Sequence, residues 1–167
     1  MKVRLVISVF ILLSIGKYAD AQETKGGLKW YTDILQADKV SRASGKPIFA
    51  FFTGSDWCGW CRKLQNDVFA KKSFINWAKK NVVLVELDFP RKKQLPQELM
   101  QQNMGLQQAL QVKGYPIIWL LYLKREKGSK NINLNTLGSL GYPSGATPGK
   151  EDQKFLQQAN EILKKKK

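Results

Sequence analysis

The chain has 167 residues, 43% of them hydrophobic and 25% charged, with 28 Lys and Arg against 13 Asp and Glu and a formal net charge of +15. That length holds one domain with an ordinary core, and the hydrophobic content marks a globular chain. Two cysteines and no histidine exclude a c-type haem site, a histidine-activated nucleophile, and a four-ligand zinc or iron–sulfur centre built within one chain from Cys and His.

In chain order, Lys2 and Arg4 precede an apolar stretch over residues 5–15, and Ala19-Asp20-Ala21 stands before Gln22. This is the layout of a cleaved secretory signal, and the stretch is too short to span a bilayer comfortably. We therefore expect a signal peptide at 1–21 and one domain at 22–167 ending in the basic tail Lys164-Lys165-Lys166-Lys167. Without Lys2, Arg4, Lys17 and Asp20, 25 basic residues face 12 acidic ones, a formal net charge of +13. The basic residues are scattered and carry no nucleic-acid motif, so they read as a solvated surface capable of weak, salt-sensitive contact with anionic surfaces.

Trp30, Tyr31, Ile34, Leu35, Ala37, Val40 and Ala43 recur at three- and four-residue spacing, predicting an amphipathic helix over 30–44 that Gly45-Lys46-Pro47 ends. Ile48, Phe49, Ala50, Phe51 and Phe52 form a buried strand, followed by the turn Thr53-Gly54-Ser55-Asp56. A helix then begins near Cys58 with Leu64, Val68 and Phe69 on its inner side, and Phe74, Ile75, Trp77 and Ala78 mark a short further helical segment. Residues 82–87 predict a second buried strand, and 91–96 a basic connector.

A glutamine-rich helix spans 97–112, weakened at Gly105, and Lys113-Gly114-Tyr115-Pro116 breaks it. Residues 117–123 form a third strand, 124–130 a charged turn, and 132–140 an edge strand making a hairpin. Gly141 to Gly145 is loop, Tyr142-Pro143 included. Thr147-Pro148 predicts the start of a final helix carrying Phe155, Leu156, Ala159, Ile162 and Leu163. The order is helix, strand, helix, strand, helix, strand, strand, helix: an α/β sheet covered by helices.

The stretch Trp57-Cys58-Gly59-Trp60-Cys61 carries the chemistry. Two thiols three positions apart at a helix start can close a small disulfide whose leading sulfur meets unpaired helix N–H groups and the positive dipole end. Arg62 and Lys63 add positive charge. For this pair, redox chemistry and a plain structural disulfide both remain open.

The strand, turn, Trp-Cys-x-x-Cys and helix sequence resembles the active-site segment of the thioredoxin superfamily. Val112-Lys113-Gly114-Tyr115-Pro116-Ile117-Ile118 is similar to the family segment in which a cis proline faces the cysteine pair. The resemblance runs from about Tyr31 to the final helix. It implies a thioredoxin-like fold with a central mixed sheet of about four to five strands, and a thiol–disulfide oxidoreductase needing no cofactor or metal. Cys58 would attack a substrate disulfide and Cys61 would resolve the mixed disulfide. Pro116 would be cis, with the Tyr115 backbone pairing an extended substrate peptide. Trp57, Gly59 and Trp60 would contribute to substrate binding, Trp57 either as an apolar lip or packed on the domain. Gly138 or Gly141 stands where the family often has a glycine.

Many thioredoxins have a buried aspartate six residues before the first cysteine, where this chain has Phe52; Asp56 and Glu86 are the acids that could substitute. The Ser-Asp-Trp-Cys-Gly-Trp-Cys pattern is most similar to secreted bacterial members. That implies an exported, periplasmic monomer, a reductase more than an oxidase, acting on protein or peptide disulfides with a membrane redox partner. The alternative is a non-catalytic binding or chaperone-like module on the same scaffold.

Overall fold

The computed structural model describes residues 22–125 and 132–165. The expected signal peptide, most of the charged turn at 124–130 and the last two lysines of the tail lie outside the described residues.

A short hairpin comes first. Strand β1 (Gln22–Lys25) and strand β2 (Leu28–Tyr31) pair antiparallel around Gly26-Gly27, whose φ values of 58° and 74° suit a two-residue turn. This hairpin corrects the helix expected over 30–44. Trp30 and Tyr31 instead pair in parallel with Leu84 and Val85. Helix α1 (Ile34–Ser44) starts only after Asp33, whose carboxylate accepts from Leu35 N at 2.7 Å and Gln36 N at 3.3 Å, capping it.

Strand β3 (Ile48–Thr53) is buried throughout. It leads through the cysteine turn into helix α2 (Gly59–Leu64), which continues as a π-helical turn over Gln65–Phe69. Helix α3 (Lys72–Asn81), strand β4 (Val83–Asp88) and helix α4 (Gln97–Ala109) follow, with Gly105 accommodated inside α4. That helix ends three residues sooner than expected, because Gln111 turns left-handed at φ 51° and Val112 N bonds back to the Gln107 carbonyl.

Strand β5 (Ile117–Arg125) and edge strand β6 (Ile132–Leu140) make the expected hairpin. Helix α5 (Glu151–Lys164) begins four residues beyond Thr147, since Thr147 to Lys150 closes a turn and Gly149 sits at φ 80°.

The mixed sheet has six strands in the order β1-β2-β4-β3-β5-β6. The added N-terminal hairpin takes it beyond the four to five strands expected. Strict alternation along β3 divides its side chains between two cores. Phe49 and Phe51 join Trp30, Phe69, Phe74 and Phe155 beneath α2, α3 and α5, together with both cysteines. Ile48, Ala50 and Phe52 join Val85, Leu87 and Leu121 on the α1 and α4 side. The C-terminal ends of parallel β3 and β4 thus deliver the cysteine turn and Asp88 to the same edge of the sheet.

Candidate active site

The site grows from Gly54. Its carbonyl accepts from both Trp57 N at 3.2 Å and Cys58 N at 2.8 Å, which turns the chain from strand to helix. A side chain here would collide with the Trp57 indole, because a Cβ would lie 2.4 Å from its Cε2. Asp88, ending β4, braces the turn from beside it: its carboxylate takes Ser55 N at 2.8 Å, Ser55 Oγ at 2.7 Å and Lys93 Nζ at 2.9 Å.

Cys58 is the N-cap of α2 and Cys61 lies one turn in; the two are joined as a disulfide. The Cys61 N–H donates to Cys58 Sγ at 3.1 Å, so one of the helix's unpaired amides points at the leading sulfur. Cys58 retains 5% exposure and Cys61 none. The pair is asymmetric: Cys58 keeps a narrow opening to solvent and receives the Cys61 amide, while Cys61 is fully enclosed. Arg62 and Lys63 are exposed, and Lys63 is engaged by Asp67, its Nζ 2.7 Å from Oδ2. Its positive charge is therefore shared with a carboxylate rather than directed wholly at Cys58.

The Tyr115–Pro116 peptide is cis. The Tyr115 ring meets the Trp57 ring edge-on at 5.8 Å and lies 5.2 Å from that of Phe89. Its hydroxyl accepts from Gln107 Nε2 at 2.7 Å, and burial pushes the phenol above its ordinary pKa. Of the two glycines considered, Gly141 backs onto the proline, a Cβ there lying 3.9 Å from the Pro116 carbonyl, whereas Gly138 packs on Ile162.

Trp57 is packed. Its indole N–H donates to the Phe89 carbonyl at 2.8 Å, and the Arg91 guanidinium lies 3.9 Å from its ring centroid. Trp60 is 59% exposed and touches the Tyr142 ring at 5.2 Å; Gly59 beside it is exposed too. The structure thus brings Cys58, Cys61, Trp57 and Tyr115 to one edge of the sheet, next to Pro116, with Trp60 at its rim.

The two acids weighed as substitutes for a buried aspartate are both committed elsewhere. Asp56 accepts from Arg91 N at 3.0 and 3.1 Å and from Lys92 N at 2.7 Å, and those amides hold its carboxyl below the usual aspartate range. Glu86 pairs with Lys25 at 2.9 Å. Asp88 and Tyr142 were not singled out from sequence. For Asp88 a signal existed, a carboxylate closing an otherwise apolar strand; for Tyr142 there was only a Tyr-Pro pair in a loop. Among the described residues no cluster of three or more His, Cys, Asp or Glu could hold a metal, and no helix is long and apolar enough to cross a membrane.

Comparison with known proteins agrees with this geometry. The profile of the thioredoxin-like domain family matches residues 35–129. Over 91 residues the chain is 40% identical to the disulfide bond reductase DsbH of Chlamydia pneumoniae, an alignment covering 53% of each protein. Over 120 residues it is 26% identical to the thioredoxin-related protein DsbJ of the same organism, covering 72% of this chain and 33% of DsbJ. The chain therefore spans about half the length of the first of these relatives and a third of the second. Among solved structures, a DsbH oxidoreductase superposes with a TM-score of 0.66 at 30% identity, over 82% of this chain and 85% of that one. A thioredoxin from Thermus thermophilus superposes with a TM-score of 0.57 at 15% identity, over 81% and 87%, a likeness of fold.

Proposed function

We propose that this chain, which belongs to the thioredoxin-like domain family, is a thiol–disulfide oxidoreductase that reduces disulfides of exported proteins. The observation that carries the reading is the asymmetry of the pair: Cys58 caps a helix and receives the Cys61 amide, while Cys61 is sealed behind it. A sulfur so placed is favoured as thiolate by the helix N-terminus, and the thiolate is the attacking species.

In the forward cycle the Cys58 thiolate attacks one sulfur of a substrate disulfide. The Cys58–substrate bond forms, the substrate S–S bond breaks, and the departing thiolate takes up a proton. Cys61, losing its proton, then attacks Cys58 Sγ, forming the Cys58–Cys61 bond and expelling the second substrate thiol. Two electrons pass to the substrate, and the enzyme is left in the disulfide form seen here. A dithiol donor must then return those electrons, and we assign that role to a membrane redox partner facing an exported, periplasmic enzyme. The reductive direction draws on the name of the DsbH relative; the compartment draws on the N-terminal pattern of charged, apolar and small residues. Trp57, Gly59, Trp60, Tyr115 and Pro116 are assigned to the surface along which the substrate lies, with the Tyr115 backbone offering strand-like pairing.

The test is the reduction potential, obtained by equilibrating the protein against dithiothreitol or glutathione buffers and following tryptophan fluorescence. A value near about −270 mV is expected for a reductant. A value near about −120 to −180 mV would make it an oxidant or isomerase, and a pair that does not cycle would overturn the enzymatic reading altogether.

A further inference from the structure

Trp60, Lys63 and Asp67 follow one another at three- and four-residue spacing, so they share one face of the helix that starts at Cys58. That face meets the loop after β6. Tyr142 donates its hydroxyl to Asp67 Oδ2 at 2.7 Å, and the same oxygen receives Lys63 Nζ at 2.7 Å. Lys63 Nζ also lies 5.4 Å from the centroid of the Tyr142 ring. On one side of Tyr142 the loop is held by Pro143, which is buried. The Tyr142 ring in turn stands edge-on to Trp60 at 5.2 Å.

We propose that Tyr142 is a positioning residue, locked by Asp67 and Lys63 so that it and Trp60 form an aromatic subsite for an uncharged apolar side chain next to the substrate's disulfide-bonded cysteine. The proposal rests on the oxidoreductase reading of the same site. Its selectivity follows from charge bookkeeping at short range. The carboxylate and ammonium of the lock offset each other, so the half-buried Tyr142 ring and the exposed Trp60 ring stand beside a locally neutral pair within a strongly basic chain. The same contacts set the ionisation of the lock: the Lys63 ammonium and then the Tyr142 hydroxyl hold Asp67 below the usual aspartate range, and burial, followed by the bond to Asp67, pushes the Tyr142 phenol up. Pinning Trp60 before the substrate arrives spares the ordering of an exposed aromatic side chain on binding.

The experiment compares reduction of three disulfides by wild type, Tyr142→Phe and Tyr142→Ala: hydroxyethyl disulfide, a peptide disulfide with Leu beside its cysteine, and the same peptide with Ser there. Wild type is expected to prefer the Leu peptide about three- to tenfold in kcat/KM, carried by KM. Tyr142→Ala should bring the two peptides to parity, and Tyr142→Phe, which keeps the ring but not the lock, should fall between. Retention of the preference by Tyr142→Ala, or an equal loss on all three disulfides, would overturn the subsite. Failure of wild type to reduce hydroxyethyl disulfide would instead sink the oxidoreductase reading. In that case fluorescence titration of wild type and Tyr142→Ala with the Leu and Ser peptides still decides whether the subsite exists.

Discussion

Gly54→Ala tests how the cysteine turn is held. The added Cβ would lie 2.4 Å from Trp57 Cε2, 2.5 Å from Nε1 and 2.8 Å from Cζ2, all on a rigid ring system. The indole has no slack to absorb this, being bonded to the Phe89 carbonyl, covered by Arg91 and met edge-on by Tyr115. Over-packing of this kind costs about 1–3 kcal/mol. Displacing the indole also breaks its hydrogen bond, a further loss of about 1 kcal/mol. A destabilisation of about 2–4 kcal/mol corresponds to a fall of roughly 6–12 °C in Tm for a domain of this size.

The assay is thermal and urea unfolding of the disulfide form, with tryptophan emission reporting the indole environment. A double-mutant cycle isolates the cause. In a Trp57→Leu background the smaller side chain leaves room for the Cβ, so Gly54→Ala should cost at least about 1 kcal/mol less there than in wild type. An unchanged Tm for Gly54→Ala, or equal costs in both backgrounds, would refute the claim that the indole rests on Gly54.

Cys61→Ser should accumulate the mixed disulfide with a substrate, and its Cys58 should be alkylated about 10²-fold faster than the Cys61 of Cys58→Ser, whose sulfur is reached only by local opening; equal iodoacetamide rates by mass spectrometry would contradict the assigned roles. Phe49→Ala, emptying a fully buried position among Trp30, Phe69, Phe74, Trp77 and Phe155, should cost about 3–5 kcal/mol in urea titration, and a loss under about 1 kcal/mol would place the core elsewhere. Asp56 has its folded pKa lowered, chiefly by the Arg91 amide, so its contribution to anchoring the 91–92 segment is present above the ordinary value of 3.8 and lost only as pH falls through a lower one. The Arg91 and Lys92 amide resonances should accordingly move with a midpoint below 3.8 in wild type and not in Asp56→Asn; a midpoint above 3.8 would refute the contact.

What could be read without coordinates was whatever announced itself by a continuous run or a fixed spacing. The five apolar residues after Pro47, the β-branched run ending at Asp88 and the pair at Cys58 and Cys61 are local signals, and each falls where expected. The first hairpin was missed because β2 is four residues long and Trp30 and Tyr31 continue the helical spacing of Ile34 and Ala37. Only the Asp33 cap separates the two patterns, although Gly26-Gly27 was itself a turn signal. The final helix misled in the opposite sense: Thr147-Pro148 has the composition of a helix start, but Gly149 takes a left-handed conformation that restarts the chain at Glu151. Contacts between distant segments had no local trace at all. Tyr142 finds Asp67, 75 positions away, through the return of β6 to the sheet edge.

The aromatic residue at position 52 bears on how such a site is organised. Phe52 is fully buried on the α1 and α4 side of the sheet, in the core opposite to the one that holds the cysteines. Its ring stacks on Phe89 at 6.2 Å; Phe89 meets Tyr115 at 5.2 Å and accepts the Trp57 indole N–H, and Tyr115 meets Trp57 at 5.8 Å. A chain of rings therefore runs from the floor of the sheet to the residue before Cys58. A carboxylate among those apolar neighbours would be left without partners and would be costly to bury. Packing of these rings fixes the elements around the cysteines here. The acid–base needs of the proposed cycle close without that acid. Each exchange step produces one substrate thiolate, and the proton that Cys61 surrenders as it attacks Cys58 has a thiolate of ordinary basicity to receive it.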